Sequence, residues 1–332
     1  KSYEAWAKVP FIVSFSPFMD DSSQQVDLIL PDSTYLERWQ DDIPLTSSGF
    51  PILGLRQPVV EPLYDTANTG DVIIRIAKDL GGTVADSFPW NSFQEMLQER
   101  IKGLYRVGWG SIVASSWPEF WDQLVERGGW WDTSPPSRRG PLATPSGKFE
   151  FSSQTLRKRL EDIAQGPQGL EGTLSRLKIE ARGDRAFLPH YEPPRPVAEE
   201  REFPFFLNTY KTMTCAQGRG ANQPWLMEIY GLQVMRSWDS WVEINPETAH
   251  ELGIADGDQV WVESPLGKIR VSAKLYPGAM PQVVNMPIGL GHRAYGRWAR
   301  DRGANPNRII ANEYEHLGGL AAWSSTRVRI YK

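Results

Sequence analysis

The 332-residue chain has little of what soft metals and disulfides require, since it contains one cysteine, Cys215, and four histidines. A single cysteine excludes an intrachain disulfide and excludes an iron–sulfur cluster held by cysteines of this chain alone. No second histidine stands at ligand spacing from His292, which argues against a zinc site. Cys215 has no neighbouring base that would activate a nucleophile, so we assign no catalytic residue and no metal ligand.

Long apolar runs and an excess of basic residues are also missing. The longest apolar run, residues 10–15, is far shorter than the roughly 20 residues that span a bilayer. The net charge of −4 gives no basic footprint for nucleic acid and no polybasic membrane signal. What the chain does have is 14 tryptophans and 26 prolines, a composition that favours long, aromatic-pinned connections over a compact helical bundle.

The first 85 residues are predicted to be the end of an α/β, Rossmann-like domain. Phe11–Phe15 and Val26–Leu30 are continuous apolar runs, which is typical of parallel strands covered on both faces. Val72–Leu80 has apolar residues at helical spacing and is followed by two glycines. Two short strands do not make a sheet, and the chain starts at Lys1 rather than Met. We therefore expect an upstream part that completes the domain.

Residues 86–200 are predicted to be an irregular helical and linker region. Phe93–Leu104 and Glu119–Glu126 have the spacing of amphipathic helices. The proline-rich stretch 183–200 is typical of a linker laid along a surface. The segment LATPSGKFEF contains a turn at residues 145–147, which predicts a strand over Lys148–Phe151.

Residues 201–332 are predicted to be mainly β. The stretch Trp241–Leu275 reads as a strand, a short helix over Glu247–Leu252 and an alternating hairpin. Pro246 opens the helix because its missing N–H has no partner in the first turn anyway, and Gly253 closes it. A unit of this kind suits a small barrel with a pseudo-twofold, interlaced topology.

Two polar, glycine-containing segments are candidates for ligand binding. In FFLNTYKTMTCAQGRGANQPW, a strand over Phe205–Leu207 runs into a loop that offers backbone N–H groups, hydroxyls and cations to a phosphate-bearing ligand. In PIGLGHRAYGRWARDRGANPN, glycines allow close backbone approach and amides present a donor beside an acceptor. Taken alone, each pattern is more often an ordinary solvated loop or turn, and His292 is more often a structural histidine.

Read in order, several segments together resemble the carboxy-terminal part of the dimethyl-sulfoxide-reductase family of molybdenum and tungsten enzymes. These segments are VDLILPDSTYLERW, TPSGKFEF, VEINPETAHELGIADGDQVWVESPLG and GANPN, followed by the closing strand 326–332. RQPVVEPLYDTANTGD and TYKTMT look most similar to the polysulfide, thiosulfate and tetrathionate reductase branch. The resemblance implies a double-psi-type β-barrel, the molybdopterin-dinucleotide-binding domain, after the tail of a doubly wound domain.

For the chemistry, the resemblance implies a bis-(molybdopterin guanine dinucleotide) cofactor carrying molybdenum or tungsten. Two-electron redox chemistry with oxygen- or sulfur-atom transfer would follow, on substrates such as sulfur oxyanions or polysulfide. Asp32 and Glu37 fall where the family's third domain ends. Carried over by motif, the residues expected to bind the cofactor are Thr209, Tyr210, Lys211, Thr212, Met213, His292, Tyr295, Asn305 and Asn307.

The chain departs from the family because the amino-terminal cysteine motif for a [4Fe–4S] cluster and the region that supplies the metal ligand are absent. We expect both in the rest of a catalytic subunit, with an iron–sulfur electron-transfer subunit and a membrane anchor as further partners. The expected location is the periplasmic face of the membrane, with the cytoplasm as the other possibility. The alternative function is a cofactor-less scaffold in a quinone-linked membrane complex.

Overall fold

A computed structural model describes residues 2–44, 49–134, 142, 144–164, 169–316 and 319–332. By its internal contacts the chain divides into two compact units, residues 1–140 and 141–332. The three ranges predicted from the sequence, 1–85, 86–200 and 201–332, stay predictions. Among the described residues, no helix combines the length and the apolar character that crossing a bilayer requires.

The first unit contains two small sheets and the helices between their strands. One sheet is a parallel pair, in which Val13 is opposite Leu28. The other is antiparallel and three-stranded, with the middle strand paired on both edges. In chain order the elements are α1 (Ser2–Trp6), β1 (Val13–Ser14), β2 (Leu28–Ile29), β3 (Gln40–Asp42), β4 (Ile52–Arg56), α2 (Thr69–Leu80), α3 (Gly82–Asp86), α4 (Phe93–Val107), α5 (Trp117–Arg127) and β5 (Gly129–Trp131).

The predicted helices of this unit are present, and their ends follow from capping residues. Asn68, Ser92 and Ser116 each accept a hydrogen bond from a first-turn N–H of α2, α4 and α5. Because α4 and α5 both end at a glycine in the left-handed region, the backbone there turns without steric cost. These two helices cover the three-stranded sheet and build a core from Leu53, Leu55, Ile101, Ile112, Phe120, Leu124 and Trp130.

The parallel pair lies outside that core and leaves apolar side chains exposed. Phe11 is 61% exposed beside the pair. On α2, an apolar stripe at helical spacing is also exposed, with Ile73 at 45%, Ile76 at 46% and Leu80 at 69%. Parallel sheets are normally covered on both faces, so these surfaces are incomplete by themselves.

The second unit begins with two helices and a linker. Ser153 caps the first helix, and Leu160, Leu174 and Phe187 form a small core beneath the pair. The predicted strand over Lys148–Phe151 is wrong. The Thr144 hydroxyl donates to the Lys148 carbonyl at 2.6 Å, so local side-chain contacts take the groups that a partner strand would need. The helices are α6 (Gln154–Ile163) and α7 (Gly169–Arg176).

The rest of the second unit is a closed six-stranded barrel, which confirms the predicted fold class. Its elements are β6 (Phe205–Lys211), α8 (Pro224–Ile229), β7 (Trp241–Ile244), α9 (Pro246–Glu251), β8 (Gln259–Ser264), β9 (Gly267–Leu275), β10 (Val283–Ile288) and β11 (Arg327–Tyr331). The strand order around the barrel is β10-β6-β11-β8-β9-β7, and of these strands only β8 and β9 are both neighbours in the barrel and consecutive along the chain. Two of the pairings are parallel, β6 with β10 and β7 with β9, which is the interlaced arrangement expected.

The short helix and the hairpin form where the sequence predicts them. Asn245 accepts a hydrogen bond from Glu247 N at 2.9 Å, and Gly253 follows α9 with φ +66°. The hairpin turns through Pro265 and Leu266, with Ser264 opposite Gly267. Inward-facing side chains fill the barrel with Leu207, Val242, Ile244, Val260, Val262, Val271, Ala273, Val284, Met286, Val328 and Ile330.

The linker between α7 and the barrel is held by a histidine that contacts two acceptors. His190 Nδ1 lies 2.7 Å from the Leu188 carbonyl, and Nε2 lies 3.0 Å from Glu192 Oε1. A neutral imidazole has one N–H, so both contacts are hydrogen bonds only when the ring is charged. The contact with the Leu188 carbonyl, followed by the Glu192 carboxylate, raises the pKa of His190 above its usual 6.5. Burial and the nearby Arg185 oppose the rise.

Residues 1–85 expressed alone are predicted to be insoluble or disordered. The physical reason is that the parallel pair and the exposed stripe of α2 find no cover within this range. Solubility and the cooperativity of thermal unfolding are the measurements, with residues 142–332 as the control. A soluble fragment that unfolds cooperatively would contradict the prediction.

The His190 contact is predicted to stabilise the second unit at low pH and to lose that effect as the pH rises. The folded-state pKa is raised, so the stabilisation is complete below the unfolded pKa of about 6.5 and disappears through the higher folded value. We expect His190→Gln to lower the free energy of unfolding by at most about 1 kcal/mol at pH 5.5 and by nothing measurable at pH 9. Urea unfolding at both pH values checks this. A loss that is larger at pH 9 would contradict it.

Candidate functional site

The outer wall of the barrel at β6, β10 and β7 carries a second layer of packed residues. Along β7, Val242 and Ile244 point into the barrel, so Trp241 and Glu243 point outward because side chains alternate along a strand. All four β7 residues are nevertheless buried, since loops and α8 cover this wall. We call the packed layer the outer core; it consists of Cys215, Ala221, Met227, Tyr230, Val234, Trp241, Leu290 and Ala299.

The loop after β6 lies directly against the turn after β10. Cys215 Sγ is 3.6 Å from the Gly289 carbonyl oxygen. A methyl group on Gly289 would lie 3.0 Å from Cys215 Cβ, and one on Gly218 would lie 3.2 Å from His292 Nε2. Because both glycines also have positive φ, only glycine gives this approach without strain. Because β6 and β10 pair in parallel, the loops that follow them begin at the same end of the barrel and contact each other.

The segment 303–307 reaches the same turn from the other side. A methyl group on Gly291 would lie 2.3 Å from Asn305 N, so these two backbones are in direct contact. The Ser240 hydroxyl donates to the Ala304 carbonyl at 3.2 Å and accepts from Ala304 N at 3.0 Å, which ties the segment to the start of β7. Asn305 Oδ1 accepts from Asn307 N at 3.0 Å. The two loops singled out in the sequence therefore converge on one turn, residues 289–292.

Backbone strain is concentrated in these loops. A bulky residue at positive φ is an outlier, and such residues gather where the surrounding structure overrides local preference. Tyr295 at φ +75° donates its hydroxyl to the Arg219 carbonyl at 2.9 Å, which joins two of the loops. Seven non-glycine residues of the described chain have positive φ, and six of them lie in the connections between β6 and β7 or between β10 and β11: Ala216, Gln217, Met235, Trp238, Tyr295 and Asp301.

The loops present a cationic surface on a chain that is otherwise acidic. Residues 289–311 contain five arginines and one aspartate, which leaves 31 basic and 39 acidic residues elsewhere. Arg297 stacks on Trp298 at 4.3 Å, and Arg302 stacks on Trp238 at 5.6 Å. Within the described ranges Arg297, Arg300 and Arg302 form no ion pair and are exposed. Stacked guanidinium groups of this kind suit bidentate contacts with phosphate or carboxylate.

The predicted site residues fall into two groups. Thr209, Tyr210 and Lys211 lie on β6 rather than in a loop, because parallel pairing with β10 extends the strand to Lys211. Thr212 has a buried hydroxyl without a nitrogen or oxygen partner among the described residues, and Met213 is fully exposed. The second group, His292, Tyr295, Asn305 and Asn307, lies in or against the turn and its neighbouring loop.

Asp32 and Glu37, the positions where the family's third domain ends, contact their own unit. Asp32 forms an ion pair with Arg38 and accepts from Thr69 N at 2.9 Å. Glu37 accepts from Leu63 N and Thr34 N, and these backbone contacts lower its pKa. Both carboxylates therefore organise the local backbone of the first unit.

Other site residues were not predicted from the sequence. Asn222 accepts from Trp298 N at 3.1 Å, and Glu243 accepts from the Tyr210 hydroxyl at 2.6 Å. These contacts join residues 76 and 33 positions apart, so no local pattern indicates them. The arginine-rich run between residues 293 and 302 is a signal in the sequence for this surface, separate from the glycines and amides of the same segment.

The site offers no obvious nucleophile or metal centre of its own. Burial raises the pKa of Cys215 to about 11, so the thiol stays protonated at neutral pH. Across the described ranges, no three histidine, cysteine or acidic side chains lie close enough to hold a metal ion. The chemistry available here is recognition of an anionic ligand rich in hydrogen-bonding groups.

Comparison with known proteins agrees with this geometry. Residues 216–325 match the family described as "Molydopterin dinucleotide binding domain". The arsenate respiratory reductase molybdopterin-containing subunit ArrA of Shewanella sp. (strain ANA-3) is 30% identical over 99% of this chain and 42% of its own length. A menaquinone reductase, molybdopterin-binding-like subunit of Nitratidesulfovibrio vulgaris is 28% identical over 98% of this chain and 38% of its own.

Two further similar proteins are a thiosulfate reductase subunit and a solved structure with a similar fold. The thiosulfate reductase molybdopterin-containing subunit PhsA of Salmonella typhimurium is 25% identical over 88% of this chain and 36% of its own. The structure of acetylene hydratase from Pelobacter acetylenicus has a TM-score of 0.68 and 19% identity over 97% of this chain and 40% of its own, a likeness of fold. The chain spans about two fifths of the length of the relatives it matches.

Gly291→Ala is predicted to destabilise the second unit more than Gly253→Ala does. Both glycines have positive φ, but a methyl group at residue 253 meets open space while one at residue 291 meets Asn305 N at 2.3 Å. At either position, we expect an alanine in the left-handed backbone conformation to lower the free energy of unfolding by about 1–2 kcal/mol. At residue 291, the collision with Asn305 lowers it by about a further 1–3 kcal/mol. Denaturant unfolding measures both losses, and equal losses would show that the approach of residue 291 to residue 305 is not a tight contact.

Proposed function

The chain belongs to the dimethyl-sulfoxide-reductase family of molybdopterin oxidoreductases, whose carboxy-terminal part it matches, and we propose that it holds a bis-(molybdopterin guanine dinucleotide) cofactor carrying molybdenum or tungsten. The observation that carries this proposal is the convergence of the loop after β6 and the segment 303–307 on the turn 289–292. These segments come from two separate connections of the barrel, the one after β6 and the one between β10 and β11, and they meet at its outer wall.

The residues that meet there fit such a ligand. A dinucleotide of this kind has phosphates, which need cations and N–H donors, and ring edges, which need paired donors and acceptors. Lys211, Arg297 and Arg300 are exposed cations beside the turn. The buried Thr212 hydroxyl has no nitrogen or oxygen partner among the described residues, and the nearby Cys215 thiol is a weak acceptor, so a bound ligand would give this hydroxyl a stronger hydrogen bond.

Different side chains would do different work. Lys211, exposed at the end of β6, and Thr212 would hold phosphate oxygens, while Asn305 and Asn307 would pair with a ring edge. The Thr209 side chain is on the same face of β6 as that of the inward-facing Leu207, so Thr209 would contribute through its backbone. His292, packed against Tyr295 at 5.2 Å between ring centroids, would flank the ligand. The Tyr210 and Tyr295 hydroxyls are already bonded within the protein, so these residues would contribute ring surface. Met213, fully exposed, would contribute apolar cover.

When bound, the cofactor supplies two-electron redox chemistry coupled to transfer of an oxygen or sulfur atom. The protein's part is to bind, orient and shield it. Sulfur oxyanions or polysulfide are the proposed substrates, supported by the name of the thiosulfate reductase relative. The proposed partners are the remainder of the catalytic subunit, which would carry the [4Fe–4S] cluster, an iron–sulfur subunit and a membrane anchor. The proposed location is the periplasmic face of the membrane.

A second function is a scaffold without cofactor in a quinone-linked complex. The observation in its favour is the relative named as a molybdopterin-binding-like subunit of menaquinone reductase. Quantifying molybdenum, tungsten and pterin in the intact assembly separates the two. About two pterins and one metal per subunit support the oxidoreductase, whereas their absence from a folded assembly supports the scaffold.

Replacing Lys211 and Asn305 together with alanine is predicted to lower pterin retention while the barrel stays folded. Substitution of Lys211 removes a cation, and substitution of Asn305 removes an amide, where the two loops converge. Pterin per chain, measured by fluorescence after oxidation, is expected to fall at least about tenfold, which corresponds to roughly 1.4 kcal/mol. Lys268→Ala is the matched control, since Lys268 stacks on Trp261 on the hairpin and not at the turn. Unchanged pterin content in the double variant would show that the site is assigned to the wrong residues.

A further inference from the structure

A buried carboxylate lies behind the proposed site and holds one of its tyrosines. The Tyr210 hydroxyl donates to Glu243 Oε1 at 2.6 Å. Trp241 Nε1 lies 3.1 Å from the Tyr210 hydroxyl and 3.2 Å from Glu243 Oε1, so it donates to both. Glu243 is 9% exposed and Trp241 is fully buried. A carboxylate removed from water in this way needs donors, and within the described part of the chain the tyrosine and the tryptophan are the two side chains that donate to it.

The contact spans one strand of the barrel wall. Tyr210 is on β6 and Glu243 is on β7, and β10 lies between these strands. On β10, Pro287 is opposite Tyr210 and Asn285 is opposite Glu243. The Tyr210 side chain therefore reaches across β10 on the outside of the barrel. It ties the carboxyl end of β6 to a strand with which β6 shares no backbone hydrogen bond.

Tyr210 stands at the point where the chain leaves β6. Lys211 is the last residue of the strand, and the loop that packs on the turn 289–292 follows immediately. Within that loop, Gly218 N and Gly220 N both donate to the Cys215 carbonyl, at 2.8 and 3.0 Å. The direction of the loop is thus set at one end by Tyr210 and at the other by the outer core.

We propose that Glu243 is a positioning residue for the cofactor site, because it anchors Tyr210 and so fixes the loop 212–219 before the ligand arrives. This inference rests on the proposed function, since it concerns the same site. A loop that is already ordered gives up less conformational entropy on binding, so its N–H groups and hydroxyls bind more tightly. Tyr210 then serves the site through its anchored ring and backbone, and its hydroxyl is not a ligand-binding group.

A second tyrosine–carboxylate pair in the same barrel provides a matched control. The Tyr331 hydroxyl donates to Glu263 Oε2 at 2.7 Å, between β11 and β8. In both pairs a tyrosine hydroxyl donates to a glutamate oxygen, but Glu263 also forms an ion pair with Arg329 at 3.1 Å, and this pair is not next to the loop 212–219. A merely structural tyrosine–carboxylate bond affects stability in both places, whereas a positioning bond affects ligand affinity only at Tyr210.

The experiment compares the full chain with Tyr210→Phe, Glu243→Ala, Glu243→Gln and the control Tyr331→Phe. Guanosine diphosphate, the guanine half of the proposed cofactor, is the probe, and its Kd is measured by calorimetry. Thermal midpoints report folding, and hydrogen exchange reports the amides of Gly218 and Gly220. Tyr210→Phe keeps the ring and is the variant that decides the question if Glu243→Ala does not fold.

We expect Tyr210→Phe and Glu243→Ala to weaken binding at least about tenfold and to speed exchange of the two amides by a similar factor. Glu243→Gln, which keeps an acceptor oxygen, should restore most of the affinity, and Tyr331→Phe should leave affinity and exchange unchanged. Wild-type affinity and exchange in Tyr210→Phe, with the thermal midpoint lowered as in Tyr331→Phe, would overturn the proposal. If the wild-type chain itself binds neither guanosine diphosphate nor pterin, the proposed function fails, and the exchange rates in Tyr210→Phe still test the anchor.

Discussion

The site depends on the burial of the outer wall of the barrel. Inward side chains of β6, β7 and β10 fill the barrel, and their outward side chains form a second core with the loops between residues 215 and 299. Trp241 and Tyr230, both fully buried with ring centroids 5.4 Å apart, are the largest members of that second core. Because these loops bury apolar surface against the barrel, their backbones are held in conformations that isolated loops do not adopt. The strained residues and the close glycine contacts follow from that packing.

This packing divides polar groups into two sets. The Tyr210 and Tyr295 hydroxyls, which face the wall, are bonded within the protein. Cations on the outside, such as Arg297 and Arg302, are stacked on tryptophans and remain exposed. The first set orders the loops and the second is available to an anion. A site that recognises a phosphate-bearing ligand needs both, since affinity comes from the outer groups and preorganisation from the inner ones.

The sequence predicts those parts of the fold that local chemistry determines. The helix after Asn245 and the hairpin over β8 and β9 depend on a cap, a proline, a glycine and an alternation within 35 residues, and all are where the pattern indicates. The extension of β6 to Lys211 depends on pairing with β10, about 75 residues later, and was missed. Lys148–Phe151 has the composition of a strand, yet no described strand pairs with it.

The same distinction applies to the site. The order of spaced motifs predicted which two segments would form the proposed site, because motif order is a property of the chain. Glu243, Asn222 and the stacked arginines were missed because their roles exist only once distant segments pack together. The orientation of Tyr210 is the clearest case. Its position in a polar segment predicts that its hydroxyl contacts a ligand, but in the structure that hydroxyl donates to the buried Glu243 carboxylate.

The proposed ligand site is where the loop after β6, the turn 289–292 and the segment 303–307 meet. Hydrogen–deuterium exchange of the pterin-loaded protein, compared with the same protein after the pterin is removed, locates the ligand. Slower exchange on loading is expected at residues 212–220 and 289–307, with no change in the hairpin of β8 and β9. Protection confined to other parts of the chain, or equal exchange in the two forms, would contradict the claim.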